Sequence, residues 1–283
     1  MSKVVFVILH YETTEDTKRC MDSLFKYLSD TVELVIVDNG SQKGRLVDIA
    51  AQYDRCEHVY FIYSEINLGF AKGNNIGFQY AKKELCADII ILANNDLIFK
   101  QDDFIEILRE NISETCFDVA GPKIISLSDG LNQNPVPRIY SSLKDVKRRI
   151  FKFVILQILS VFSLDTVLKN RISLGIPRID DWNHITDFQL HGACMIFANR
   201  FVAEHDGLCD MTFMYGEESI LRFQVEEENL KMIYINDLEV YHREGASTRA
   251  VWGKGKKVRQ FYYKWNADSC RILADLMEGS KNA

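Results

Sequence analysis

The chain has 283 residues, of which 47% are hydrophobic and 26% charged, with a formal net charge of −6. This composition suits one large α/β domain, or one domain with a smaller appendage, and excludes a disordered chain. The acidic balance excludes a nucleic-acid binder that relies on overall positive charge.

Val4 to Leu9 is a continuous apolar run that reads as a buried strand, entered with no cleavable signal pattern before it. Thr14 to Leu28 has helical spacing, with Cys20, Leu24 and Leu28 on one side. Glu33 to Val37 reads as a second buried strand, ending in the turn residues Asp38-Asn39-Gly40-Ser41. His58 to Tyr63 is a third strand, and the Asn67-Leu68-Gly69 turn precedes a helix over Ala71 to Lys83. Asp88 to Ala93 is a fourth strand ending at Asn94-Asn95-Asp96, followed by a helix from Asp102 to Glu110 that Asp102 is placed to cap.

Strands alternating with helices predict a mostly parallel sheet with helices on both faces. In such sheets the functional residues gather beyond the carboxyl ends of the strands. Three of those ends carry polar clusters, His10-Tyr11-Glu12, Asp38 to Ser41 and Asn94 to Asp96, and all three are expected to open onto one crevice.

Residues 132–182 break the alternation. Pro135 and Pro137 lead into Lys144, Lys147, Arg148, Arg149 and Lys152, and then into an apolar run from Phe153 to Leu164. That run falls short of the roughly 18 to 20 residues that span a bilayer. Beyond it, Phe188 to Ala198 reads as a strand and Gly216 to Asn229 as an acidic helix. Lys231 to Ile235 and Leu238 to His242 read as short strands, and Lys256 to Met277 as a basic, aromatic helix. The seven cysteines are scattered and odd in number, which suits a reducing cytosol better than a disulfide framework or a zinc site.

Two acidic features carry chemistry. A divalent cation on one carboxylate can neutralise a diphosphate, because Mg²⁺ keeps several non-protein ligands, and Asp96 sits at a strand end where such a group would lie. The plainer reading of Asn94-Asn95-Asp96 is a turn. Glu217 and Glu218 follow Gly216, where a carboxylate can take a proton from an attacking hydroxyl. Their plainer reading is an acidic first turn that complements the helix dipole. Tyr11 is placed to stack on a base or to pack at a strand end.

Taken in order, Val37-Asp38-Asn39-Gly40-Ser41, the stretch Asn67 to Gly77 and Leu92-Ala93-Asn94-Asn95-Asp96 resemble family 2 glycosyltransferases, in particular the bacterial rhamnosyltransferase-like branch. Phe213-Met214-Tyr215-Gly216-Glu217-Glu218 and Val240 to Ser247 extend the resemblance, which covers residues 3–125 and 186–248. It implies a GT-A (Rossmann-like) α/β fold, a variant Asp-X-Asp motif served by Mn²⁺ or Mg²⁺, and inversion at the anomeric carbon. By matching position it implies that Asp38 contacts the nucleoside and that Asn67, Gly69, Lys72, Asn74 and Asn95 bind the nucleotide sugar. Asp96 would hold the metal with His242, although capping or packing is the alternative for the histidine. Gly192 would leave room for the donor sugar, and His191 departs from the family's small or sulfur residue. Glu218 would be the base, with Glu217 orienting the acceptor. Ile220 stands where the family often has an aspartate, and Arg222 is displaced from the usual pattern.

The resemblance divides the chain into a nucleotide-sugar-binding half (1–131), a basic and apolar helical insertion (132–182), an acceptor-side half with the base (183–248) and a C-terminal helix (249–283). It implies a UDP- or dTDP-sugar donor and a surface, capsular or lipid-linked glycan acceptor. A second basic cluster comprises Arg243, Arg249, Lys254, Lys256, Lys257, Arg259 and Lys264. With Lys144 to Leu164 and the aromatic Tyr262, Tyr263 and Trp265, it suggests peripheral contact with the inner face of a membrane. The alternative is packing of these helices on the core or on a second copy of the chain. A sugar-phosphate nucleotidyltransferase would need a glycine-rich basic loop that His10 to Lys18 does not supply. A non-catalytic nucleotide-sugar- or glycan-binding paralogue is the remaining alternative.

Overall fold

The computed structural model describes residues 1–43, 45–53, 55–168, 187–243 and 255–280. The chain begins with β1 (Val4–His10), α1 (Thr14–Leu24), β2 (Val32–Asn39), the single turn α2 (Val47–Ala50), β3 (Val59–Ser64) and α3 (Phe70–Lys83). It continues through β4 (Ile89–Asn94), β5 (Leu97–Ile98), α4 (Phe104–Thr115), β6 (Val119–Ser126), β7 (Val136–Pro137), α5 (Leu143–Val161) and α6 (Asp165–Leu168). The remaining elements are β8 (Phe188–Gln189), β9 (Cys194–Phe197), α7 (Asn199–Glu204), α8 (Glu217–Glu227), β10 (Met232–His242) and α9 (Lys256–Ser280).

Eight strands form one sheet in the order β3-β2-β1-β4-β9-β6-β10-β5, with β7 and β8 as a separate ribbon. The half from β3 to β4 is parallel, as the alternation predicts. Strand β9 runs antiparallel between β4 and β6, so it joins the first half of the chain to the second. Alternate residues of β1 enter different cores. Val4, Phe6 and Ile8 pack with Met21, Leu24 and Phe104 on one face, while Val5 and Val7 pack with Ala71, Phe78 and Phe201 on the other. A strand buried on both faces reads as the unbroken apolar run seen in the sequence.

Several elements differ from expectation for local reasons. The strand expected over Phe188 to Ala198 is interrupted at His191-Gly192-Ala193, where the amide of Cys194 donates back to the His191 carbonyl at 3.4 Å. The two short strands after Lys231 are one strand, β10, whose pairing with β6 shifts register between Ile235 and Glu239. Asp102 does not cap α4, which starts at Phe104; its carboxylate instead takes the Lys26 ammonium at 2.6 Å. Strands β5 and β6 carry no strong alternation and were not anticipated.

The insertion and the C-terminal helix pack on each other. Val146, Phe153 and Leu156 of α5 meet Tyr263, Ala267, Cys270, Leu273 and Ala274 of α9, together with Ile220 of α8. Helix α5 starts at Ser142, whose hydroxyl accepts the Asp145 amide at 3.2 Å. Tyr262, Tyr263 and Trp265 therefore do not form an outer face. Tyr263 is buried, Tyr262 packs on Phe153, and Trp265 stacks on Phe213 at 4.5 Å. Of the second basic cluster, Arg249 and Lys254 lie outside the described residues.

Candidate active site

The carboxyl end of the sheet opens onto a cavity of about 260 Å³. Tyr11, Asn67, Gly69, Asn95, Asp96, His191, Gly192, Glu217, Glu218 and His242 all line it. Asp38, Lys72 and Asn74 are not part of that lining. Both carboxylate oxygens of Asp38 accept backbone amides, from Ser41 at 2.9 Å and Leu46 at 3.1 Å, and so shape the loop after β2. Lys72 is exposed, and the buried Asn74 donates to the Phe70 carbonyl at 3.0 Å within α3.

At one side of the cavity, a turn after β3 is held by the end of β2. The Asn39 amide nitrogen donates to the Gly69 carbonyl at 3.0 Å and to Asn67 Oδ1 at 3.2 Å, and its oxygen accepts the Leu68 amide at 3.0 Å. Gly69 has φ +86, and a Cβ there would lie 2.2 Å from the Phe213 carbonyl oxygen. That oxygen also accepts the Phe70 amide at 2.7 Å. The glycine is therefore required on two counts, backbone conformation and close approach. The contact fastens the N-terminus of α3 to the loop that leads into Glu217.

Asp96 lies in the turn between β4 and β5, and the pairing of β5 with β10 sets His242 opposite Leu97. His242 Nδ1 donates to Gln133 Oε1 at 2.8 Å, which directs Nε2 toward Asp96 Oδ1 at 3.2 Å. A nitrogen lone pair and a carboxylate oxygen at that distance are held together by a proton or by a cation. Both side chains are buried, and the Arg243 amide fixes the turn by donating to the Asp96 carbonyl at 3.1 Å. Among the described residues no group of three or more His, Cys, Asp or Glu is arranged to hold a metal ion. Asp96 and His242 are one carboxylate and one imidazole, a donor pair that would suit a divalent cation whose remaining ligands come from outside the protein. Asn95 serves the same turn from below, donating to the Thr13 and Thr17 hydroxyls at 2.8 and 2.7 Å.

His191 is neutral. Burial, with His242 nearby, pulls it down to about 4, and its Nδ1 accepts the Ala193 amide at 3.1 Å. The remaining proton therefore sits on Nε2, which makes this ring a hydrogen-bond donor at neutral pH.

Across the cavity, Tyr215 and Gly216 take positive φ and turn the chain into α8, placing Glu217 and Glu218 in its first turn. Helix α9 backs this turn, with the Ser269 hydroxyl donating to the Met214 carbonyl at 3.3 Å and Tyr262 packed edge-on to Tyr215. Glu217 accepts the Thr212 hydroxyl at 2.9 Å, and burial together with the charge of Glu218 pushes it up to about 7. Burial also raises Glu218, against the opposing backbone hydrogen bonds from its own amide and from that of Gly192. A Cβ on Gly192 would lie 2.5 Å from Glu218 Oε1. Gly192→Ala is therefore expected to fold but to swing this carboxylate aside. Turnover is expected to fall by about 10- to 100-fold in initial rates, with the thermal unfolding temperature unchanged.

Thr212 and Gln133 are not among the residues that the sequence singles out. Asn39 was legible as a polar residue at a strand end, whereas Thr212 and Gln133 carry no local signal. The departures Ile220 and Arg222 lie away from the cavity. Ile220 is buried against α5 and α9, where an aspartate would be desolvated, and Arg222 pairs with Glu226 at 2.9 Å. A second, larger cavity of about 610 Å³ lies along α8, α3 and the loop 205–211, and none of the predicted site residues lines it.

Residues 5–170 match the model of glycosyl transferase family 2. The chain belongs to that family. Over 243 residues it is 23% identical to the low-salt glycan biosynthesis hexosyltransferase Agl10 of Haloferax volcanii, covering 84% of this chain and 66% of that protein. Among solved structures, GalNAc-T7 with UDP, GalNAc and Mn²⁺ superposes with a TM-score of 0.60 at 15% identity, covering 91% of this chain and 49% of that one. The TarS 1–349 fragment of S. aureus with UDP-GlcNAc gives 0.55 at 15% identity, covering 87% and 60%. The family 2 chain thus has the GT-A fold, and it spans just under two thirds, about half and 60% of these three relatives.

Proposed function

We propose that this chain transfers a sugar from a UDP- or dTDP-sugar to a hydroxyl of a surface or capsular polysaccharide or lipid-linked glycan, inverting the anomeric carbon. The reading rests on one observation above others: Asp96 and His242 line the same cavity as Glu217 and Glu218. Asp96 and His242 would hold Mn²⁺ or Mg²⁺, which when bound neutralises the charge that develops on a departing diphosphate.

The protein groups divide the remaining work. The N-terminal turn of α3 opens onto the cavity, and its dipole favours the anionic donor. Tyr11 offers a ring to the base, and Asp38 acts on the nucleoside side through the loop it holds. Neutral His191 donates from Nε2, and Gly192 leaves space for the donor sugar. Glu218 takes the proton of the acceptor hydroxyl as its oxygen bonds to the anomeric carbon. The bond from that carbon to the diphosphate oxygen breaks, and the electron pair leaves with the diphosphate. Burial makes Glu218 a stronger base than an exposed carboxylate, as this role requires. In this division residues 1–131 bind the donor and 183–248 supply the base.

The reaction would take place in the cytoplasm, at the membrane's inner face where the acceptor is lipid-linked. No helix among the described residues is long and apolar enough to cross a membrane. Thermal unfolding with common nucleotide sugars and Mn²⁺ tests the reading, because a ligand that binds the native state raises its stability. A donor-dependent rise in Tm, reversed by chelation, with slow donor hydrolysis and an inverted product by NMR, is expected. Failure to bind or hydrolyse any of them overturns the proposal.

A further inference from the structure

Helix α5 turns Val146, Phe153 and Leu156 inward against α9. Its opposite side carries Phe151, Ile158 and Phe162, which are 67%, 59% and 73% exposed and, at about 100° per residue, share one stripe. Val161 and Leu164 extend the stripe around the helix end at 55% and 50% exposure. Five of the twelve exposed large apolar side chains among the described residues thus fall between 151 and 164. Scattered exposed apolar residues need no explanation, but a contiguous group rimmed by polar ones marks an interaction surface.

The rim is cationic. Lys144, Lys147 and Arg148 are exposed near the start of α5. At its other end the exposed Lys256 donates to the Val161 carbonyl at 2.6 Å, with exposed Lys257 beside it in sequence. Among the described residues, Arg148 pairs with Asp145 at 3.5 Å and Lys147 with Glu278 at 2.6 Å. In a chain of net charge −6 this is a local reversal of sign.

We propose that this face of α5 docks along its length on an anionic lipid surface, with Phe151, Ile158, Val161, Phe162 and Leu164 entering the acyl boundary and the cations at both ends meeting the headgroups. Charge selects this occupant over a second copy of the chain. A two-fold interface would set the same cations against one another, whereas an anionic leaflet attracts this face and repels the acidic remainder. The surface is separate from the transfer site, so its test needs neither donor nor acceptor.

The test is flotation of the whole chain with phosphatidylcholine vesicles, with and without phosphatidylglycerol. Binding is expected to be at least about tenfold tighter with the anionic lipid and to weaken with salt. Two double variants, Ile158→Glu with Phe162→Glu and Lys147→Glu with Arg148→Glu, are each expected to lose about tenfold or more. Unchanged thermal unfolding of both variants shows that the fold survives, as their exposure implies. Absence of anionic preference, or retained binding by the apolar variant, overturns the proposal. So does a dimer in light scattering that the apolar variant dissociates while the wild type ignores vesicles, because the second copy would then own the face.

Discussion

Glu218→Gln is expected to slow transfer by about 10² or more while leaving donor affinity nearly unchanged, the size of a general-base contribution. The amide keeps the volume of the side chain and an oxygen for the Gly192 amide, so the wall of the cavity is preserved. What it lacks is a basic oxygen for the acceptor proton. Glu217→Gln is expected to be milder, because Glu217 already accepts the Thr212 hydroxyl at 2.9 Å and acts as a positioning residue. Initial rates at saturating donor, with donor affinity by calorimetry, separate the two. Near-normal transfer by Glu218→Gln removes it as the base, and a larger loss in Glu217→Gln exchanges the two roles.

The same pair fixes the pH dependence. Both carboxyls are raised by burial, and for Glu217 burial and the charge of Glu218 together bring it to about 7. A base works only when ionised, so a raised carboxyl is inactive on the acid side and gains activity as pH increases through its shifted value. The ascending limb of the rate is therefore expected above the exposed-glutamate range of about 4.3. A wild-type limb near the ordinary carboxylate value would place the proton acceptor elsewhere.

Legibility in the sequence followed the range of the interactions involved. Strands β1, β2 and β4 are buried on both faces, so unbroken runs such as Val4 to Leu9 announce them, and their polar ends announce the crevice. The glycine at 69 is likewise read locally, since its turn demands positive φ. The insertion of β9 between β4 and β6 could not be read this way, because a four-residue strand pairing with segments far apart in sequence leaves no periodic trace. The same limit hid Gln133, which touches His242 across 109 residues, and Thr212, whose hydroxyl meets Glu217 only once the turn at Gly216 is formed. The misreading of Tyr262, Tyr263 and Trp265 has a related cause. Amphipathic helices show which residues are apolar but not what covers them, and here α5 and the loop at Phe213 do so. Ile220 reads as a departure in a motif and as a necessity in the fold, because its side chain faces α9.

Asp96→Asn tests the donor half. In the wild type the Asp96 carboxylate faces His242 Nε2 at 3.2 Å, a contact that a proton or a cation stabilises. An asparagine amide can donate to that nitrogen directly, so the variant is expected to fold with unfolding temperature unchanged or slightly raised. It also removes a negative charge that repels the diphosphate when no cation is present. Donor binding in chelator is therefore expected to equal or exceed that of the wild type, while Mn²⁺ no longer strengthens it and transfer falls by about 10² or more. The coupling between metal and donor is reciprocal, so the factor by which Mn²⁺ tightens donor must equal the factor by which donor tightens Mn²⁺. Both are expected to be large in the wild type and to collapse toward one in Asp96→Asn. A merely structural Asp96 predicts the opposite pattern, with lower stability and an intact metal response, and that result would assign the cation to other residues.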